Sequence, residues 1–468
     1  MLPIESFSIE NFRSFGPKQQ LPLSRINFLF GPNSHGKSSS LMGLGVLVNS
    51  LLKNQFHQDK IEHSDNSPII EMKGDLVNNK SGSKYFELGC SLPYKKEGDS
   101  LEINFKVGSL AKGYKEYIGF KMIHDPSVVN LYGLSIQRNG ESVFNIDSKG
   151  CEVNFDSELI QGFFSKNEGK RNIFEDYGEK EGAHSLEVRL GDVGLDIVQK
   201  RSEIDGISSS SFRSMSDQYF VSGFLDDLLI KIAKVFQHRK ISWIGANRNV
   251  TSQKLIINSE SGFIADSYLN KQAITELNKW LKTTNIINLG YQFILNEVKS
   301  IEGIETDDLT LTEFGVKKDD KLYALNEVGS GISHVFQILI SVFNKPELLI
   351  IQQPELHLHP SLQVQLINSI ISLSKQFGIQ VVIETHSEHV IKAAQLEISK
   401  GVSSDKSLLT AEELNVLYIS KNKEGFSSVK KIEVDKTGSF TEPWPDDFFE
   451  LSADLGLERL RQGYKSKN

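Results

Sequence analysis

Residues 31–38, Gly31-Pro-Asn-Ser-His-Gly36-Lys37-Ser38, set two glycines, a lysine and a hydroxyl in the spacing G-x-x-x-x-G-K-S. That spacing suits the cradling of a polyphosphate. The glycines let backbone N–H groups face phosphate oxygens at a helix N-terminus, where the helix dipole also favours negative charge. A lysine at this position reaches the β- and γ-phosphates, and the following hydroxyl ligates Mg2+. Such a loop must be held by a buried strand before it and a helix after it. Ile26-Asn-Phe-Leu-Phe30 is a short apolar run of strand type, and Ser39–Leu52 carries Leu41, Leu44, Val46, Leu47 and Leu51 in a helical pattern. With both flanks present, the segment is expected to bind a nucleoside triphosphate.

Four further segments bear on the chemistry. Leu325-Asn-Glu327-Val-Gly329-Ser330-Gly331-Ile-Ser333 is a glycine-rich turn opening a helix through Phe336 and Leu339. It suits a second phosphate contact or an ordinary helix cap, and both stay open at this point. An apolar strand, Leu348–Ile351, runs into Gln352-Gln353-Pro354-Glu355-Leu356-His357-Leu358-His359-Pro360. Another, Ile379–Ile383, runs into Glu384-Thr385-His386-Ser387. The fourth segment, Phe7–Phe15, contains Asn11-Phe-Arg13-Ser14 upstream of the phosphate loop.

The elements around these motifs imply an α/β fold. Buried strands separated by helices such as Pro360–Phe377 indicate a largely parallel sheet. Residues 4–12 alternate polar and apolar and read as an edge strand. Between 85 and 155, Tyr85–Leu92, Leu101–Val107, Tyr117–Ile123 and Leu134–Gln137 alternate between loops and suggest an added antiparallel sheet. A solvated loop is expected at Glu168–Glu181, helices at Phe224–Phe236 and Lys271–Lys282, a resumption of the core near 241–245 and a strand at Tyr291–Val298. The expected organisation is an ATPase core in two parts, 1–58 and 237–450, interrupted by an antiparallel β lobe and mixed insertion at 59–236 and followed by a tail at 451–468.

Composition narrows the partners. A charged content of 24% beside 39% hydrophobic residues is that of a soluble protein, and no run of about 18 apolar residues exists to span a membrane. A net charge of −8 argues against a uniformly basic DNA-coating protein but permits a local basic groove, so DNA stays a possible partner. The N-terminus lacks a signal-peptide pattern, and two cysteines, Cys90 and Cys151, fit a reduced cytoplasmic setting.

In order and spacing, the phosphate loop, the glycine turn, the Pro-Glu-Leu-His-Leu-His-Pro block, the Thr-His-Ser block and the N-terminal segment resemble ABC-type ATPases of the RecF, structural-maintenance and OLD group. More narrowly they look like the AAA-type ATPases of bacterial anti-phage systems, closest to the Septu ATPase. Trp444-Pro445-Asp-Asp-Phe448-Phe449 matches a tail shared by one subgroup. The resemblance covers residues 1–55 and 240–450. It implies an ABC-type P-loop ATPase head, with a mostly parallel core sheet and an antiparallel β lobe. It implies that Gly31, Asn33, Ser34, Gly36, Lys37, Ser38 and Ser39 hold ATP, with Mg2+ on Ser38, and that Arg13 lies beside the nucleotide. Ser330 and Gly331 would contact the γ-phosphate held by a second copy, and His386 would sense it. It further implies head-to-tail dimers with sandwiched ATP, and a separate HNH-type nuclease subunit.

The chain departs from that pattern at one place. The strand before Pro354 should end in two acids, one supporting Mg2+ and one polarising the attacking water, yet Gln352 and Gln353 are amides. An amide cannot act as a general base, and losing one typically costs about 10²–10⁴ in rate. Glutamine can still orient a water. Glu355 and Glu384 are nearby acids able to compensate in part, with a structural role favoured for Glu355. His357 and His359, two apart in a turn, suit neither a helical metal pair nor a full ligand set. Turn packing and nucleotide sensing are the better readings there.

The expectation is therefore an ATP-binding regulatory subunit that hydrolyses slowly or not at all. The rival is a RecF-like repair ATPase that clamps DNA and turns ATP over. A nuclease domain of the OLD kind is not expected, since about 80 residues follow the Thr-His-Ser block.

Overall fold

The computed structural model describes residues 4–53, 60–62, 68–71, 76–83, 85–93, 98–108, 131–147, 150–153, 187–191, 194–198, 240–246, 254–257, 270–298, 310–325, 327–403 and 407–444. The chain begins with β1 (Ser6–Glu10), β2 (Gln19–Pro22) and β3 (Ile26–Phe30), then the phosphate loop and α1 (Lys37–Lys53). Next come β4 (Lys60–Glu62), β5 (Pro68–Glu71), β6 (Tyr85–Pro93), β7 (Ser100–Gly108), β8 (Leu131–Arg138), β9 (Glu141–Asp147) and β10 (Gly150–Val153). A hairpin of β11 (Glu187–Gly191) and β12 (Gly194–Val198) precedes β13 (Ile241–Ile244) and β14 (Lys254–Ile257). Then follow α2 (Lys271–Thr283), β15 (Gln292–Val298), β16 (Thr310–Lys318), β17 (Lys321–Ala324) and α3 (Ser330–Phe343). The last elements are β18 (Leu348–Gln352), α4 (Pro360–Phe377), β19 (Gln380–Glu384), α5 (Glu388–Ser403), β20 (Leu414–Lys421) and β21 (Ser427–Ile432).

Two sheets clasp α1. The core sheet has the order β13-β18-β19-β3-β20-β21, with all pairs parallel except β20–β21. The second sheet is antiparallel, in the order β10-β9-β8-β7-β6-β1-β2. This is the mostly parallel core with antiparallel lobe expected of an ABC-type P-loop ATPase head. Because strand side chains alternate between faces, Ile26, Phe28 and Phe30 join a core with α3, α4 and α5, while Leu29 joins the other with α1 and the antiparallel sheet. Val381 and Ile383 on β19 follow the first face, and Val382 the second. Strands buried on both sides are why these segments read as unbroken apolar runs.

One strand sits elsewhere than its pattern suggested. β1 is not an edge: it pairs with β2 on one side and with β6 on the other, and β2 takes the edge. Alternation identifies a half-buried strand but says nothing about its neighbours, and β6 arrives from far along the chain. β1 also lies in the antiparallel sheet and not in the core sheet. The segments at 117–123, 168–181, 224–236 and 445–449 lie outside the described residues. Among those described, no helix is long and apolar enough to cross a membrane.

Arg25, just before β3, ties the core together. Its guanidinium donates to both oxygens of Glu413, at 3.0 and 2.8 Å, to the Ile371 carbonyl at 3.2 Å and to the Leu408 carbonyl. It thereby pins the strand that feeds the phosphate loop to α4 and to the turn before β20.

Candidate nucleotide-binding site

β3, β19 and β18 run parallel, and their C-terminal ends lie side by side, in register Leu29↔Glu384 and Glu384↔Gln352. In open α/β sheets this is the edge at which ligands bind. The chain leaves β3 through the phosphate loop, and the Ser40 N–H donating to the Gly36 carbonyl at 2.8 Å starts the helical ladder of α1.

Both loop glycines are required by geometry. Gly31 has φ +139° and Gly36 φ +113°, backbone states that other residues rarely adopt. A Cβ on Gly31 would overlap the carbonyl oxygen of Ile419 on β20. One on Gly36 would stand 2.5 Å from Ser427 Oγ and 2.8 Å from Ser14 Oγ. The loop is thus packed from behind by the C-terminal hairpin. Ser427 donates its hydroxyl to the His35 carbonyl at 2.6 Å and its N–H to the Ser14 carbonyl at 2.8 Å.

Lys37 is buried, at 3% exposure, and its ammonium donates to the Gly31 and Pro32 carbonyls at 2.8 and 2.7 Å. Burial pulls its pKa down, and the nearby Glu384 charge opposes that shift. A buried ammonium whose charge is disfavoured gains by acquiring phosphate oxygens. His386, half-buried, is also pulled down, first by burial and then by the charge of Lys37. Asn33 and Ser34 form the exposed tip, with Ser34 at φ +62°, and Ser39 is partly buried on the first turn of α1.

Beneath the loop lies Glu384, the last residue of β19, at 2% exposure. The Ser38 hydroxyl donates to its Oε1 at 2.6 Å, and the Gln352 amide donates to its Oε2 at 3.2 Å. A serine hydroxyl and a buried carboxylate are hard oxygen donors, the kind Mg2+ takes, so these residues fit the metal that accompanies a nucleotide. Gln353 has φ +48°, and its N–H donates to the Glu384 carbonyl at 2.7 Å.

Glu355 is engaged elsewhere. Its carboxylate accepts the Thr385 hydroxyl and the His386 N–H, both at 2.8 Å. Ser387 donates to Gln363 Oε1 at 2.6 Å. The Thr-His-Ser turn is therefore held at both ends by the turn after β18 and by α4, which sets where His386 stands. The other two histidines are divided between tasks. His359 caps α4, its Nδ1 accepting from the Ser361 N–H at 3.3 Å, and His357 meets the His334 ring edge-on at 5.1 Å.

The structure gathers Lys37, Ser38, Gln352, Glu384 and His386 into one cluster. Arg13 lies at its border: its guanidinium lies against the Met42 sulfur on α1, and its neighbour Ser14 touches the loop. Ser330 and Gly331 are not in the cluster. They open α3 after Gly329, which makes no side-chain cap, and Gly331 packs on the His357 carbonyl with Ser330 exposed. Ser427 was not legible in the sequence, because it belongs to no motif and only the pairing of β20 with β3 brings its hairpin to the loop.

A family described as AAA ATPase domain matches residues 3–391. Among solved structures, the chain is similar to the Smc head bound to the C-winged helix domain of ScpA, with TM-score 0.45, 12% identity, and 93% of this chain and 99% of that chain covered. It is similar to the SMC head domain from Thermotoga maritima, with TM-score 0.40, 9% identity and coverage of 92% and 100%. The Smc head with an extended coiled coil bound to the C-terminal domain of ScpA, from Pyrococcus furiosus, has TM-score 0.39, 11% identity and coverage of 98% and 100%. No curated protein matches the chain.

Proposed function

The chain belongs to the AAA ATPase domain family, and from that premise we propose that it is an ATP-binding regulatory subunit that hydrolyses ATP slowly or not at all. The observation that carries this is the state of the acids around the phosphate loop. Gln352 and Gln353 hold the two positions at the strand end, Glu384 is taken by Ser38 and Gln352, and Glu355 is taken by Thr385 and His386. Among the described residues of the cluster this supports a lack of any carboxylate free to polarise an attacking water, and the buried Lys37 beside Ser38 supports phosphate binding.

ATP then acts as a bridge. Ser330 and Gly331 stand at an exposed helix start outside the Lys37 cluster, a placement that supports their serving the site of a second copy. Two heads would sandwich ATP, and larger assemblies would be built from such pairs. Occupancy has enough free energy to hold an assembly: ligand at 100 times its dissociation constant stabilises the bound state by about 2.7 kcal/mol. The output is control of a separate nuclease, HNH-type by the resemblance of the motif set to Septu-like anti-phage ATPases, with the complex resting inhibited while ATP is abundant.

The test uses the full chain, purified with and without ATP and Mg2+. Light scattering is expected to show pairing only with ATP, and phosphate release is expected to be slower than one per second per chain. Turnover of several per second that Gln353→Ala abolishes would overturn the regulatory reading. Hydrolysis stimulated by duplex DNA and lost steeply with salt would replace it with a DNA-clamping ATPase.

A further inference from the structure

The register of the core sheet places a carboxylate where the motif pattern does not look for one. Gln352 and Glu384 are partners on adjacent parallel strands, the two last residues of β18 and β19. Paired residues on neighbouring strands project to the same face, with strand axes about 4.8 Å apart. An acid at either position therefore reaches the same space below the phosphate loop. Here it is the β19 residue that reaches it, with its Oε1 at 2.6 Å from Ser38 Oγ.

We propose that Glu384 supplies the carboxylate support for the Mg2+ of a bound nucleoside triphosphate, so that this function has moved one strand over, from β18 to β19. The inference rests on the nucleotide-binding reading above and concerns the same site. Two observations carry it beyond mere proximity. Glu384 is 2% exposed, yet its hydrogen-bond partners are the neutral donors Ser38 and Gln352. The nearby ammonium of Lys37 spends its hydrogen bonds on the Gly31 and Pro32 carbonyls. Burying a carboxylate without a directly paired cation is costly, and a divalent ion beside Ser38 would remove that cost. The second observation is Gln352 itself. A second acid there would stand against Glu384 in a buried site, and like charges so placed resist joint ionisation. An amide donates instead, and its Nε2 holds Oε2 while Oε1 faces Ser38. The glutamine at the end of β18 is thus the complement of the glutamate on β19, and not simply a lost acid.

When bound, Mg2+ would neutralise and orient the β- and γ-phosphates. The role of this chain's residues is to present Ser38 and Glu384 to it from two different elements. β19 is suited to this because its continuation is fixed by Glu355 holding Thr385 and His386.

The experiment measures binding of a fluorescent, non-hydrolysable ATP analogue to the full chain in EDTA and in a Mg2+ titration. The readout is the ratio of the two affinities. Wild type is expected to bind more tightly with Mg2+. Glu384→Gln is expected to lower the Mg2+-dependent gain at least tenfold, and Glu384→Asp, which keeps the charge, to lower it less. The double variant Gln352→Glu/Glu384→Gln returns a carboxylate to the paired position and is expected to restore much of the gain, which a merely structural role for Glu384 would not allow. Thermal midpoints of all variants are recorded alongside. A full Mg2+ gain in Glu384→Gln, or a loss that the double variant leaves uncorrected, overturns the assignment while the nucleotide reading survives. Wild type that binds the analogue in neither condition overturns the nucleotide reading itself and this assignment with it.

Discussion

Glu355→Gln separates a structural acid from a catalytic one. The carboxylate of Glu355 accepts the His386 N–H on Oε1 and the Thr385 hydroxyl on Oε2, both at 2.8 Å. The backbone N–H cannot turn, so in the variant the amide oxygen must face it. The amide nitrogen then faces Thr385, whose hydroxyl can rotate to accept. Both contacts survive, but each loses the charge that strengthened it. Hydrogen bonds to charged groups contribute about 1.5–3 kcal/mol against about 1 for neutral pairs, so two such losses come to about 1–4 kcal/mol. Urea unfolding is expected to show that loss of stability, with whatever phosphate release the wild type has retained within about tenfold. Were Glu355 the proton acceptor, the same variant would depress turnover by about 10²–10⁴. That outcome would refute the argument that its carboxylate is fully occupied in positioning His386.

Three other predictions follow from the same geometry. Arg25→Met removes the guanidinium that holds the partly exposed Glu413 and two backbone carbonyls, and is expected to cost about 1–3 kcal/mol in a denaturant titration, chiefly from the buried carbonyl left without its donor. Burial pushes the Glu413 carboxyl up, but Arg25 and the Thr410 N–H outweigh it and hold it below its ordinary value of 4.5. Its contribution to stability is therefore present above pH 4.5 and is lost as pH falls through the depressed value, and acid-unfolding curves should show this in wild type but much less in Arg25→Met. Gly31→Ala places a Cβ against the Ile419 carbonyl at φ +139°, so it should cost at least about 1–3 kcal/mol of strain and weaken binding of the ATP analogue, both read from one thermal-shift series with and without ligand.

Much of the site was legible from local chemistry. The strand Ile26–Phe30, the loop after it, the helix Pro360–Phe377 and the two apolar strands at 348 and 380 lie where periodicity and turn residues indicated. Local patterns report burial on one face or two, and the loop glycines report a backbone state, so both are written in adjacent residues. The position of β1 was not legible, because pairing with β6 depends on a chain segment that arrives after α1 and the residues following it. Nor was the contact of Ser427 with the phosphate loop, which depends on β20 lying beside β3.

By itself, the order of residues determined that a phosphate-gripping loop stands between a buried strand and a helix, and that the strand before Pro354 ends in amides. Those are statements about neighbours along the chain, where backbone geometry and periodicity act directly. Which acid stands beneath the loop was decided only in three dimensions. The parallel register of β18 with β19 puts Glu384 against Ser38, and the Thr385–His386 turn occupies Glu355. Strand order is set by long-range burial of both sheet faces, and no short stretch of sequence carries that information.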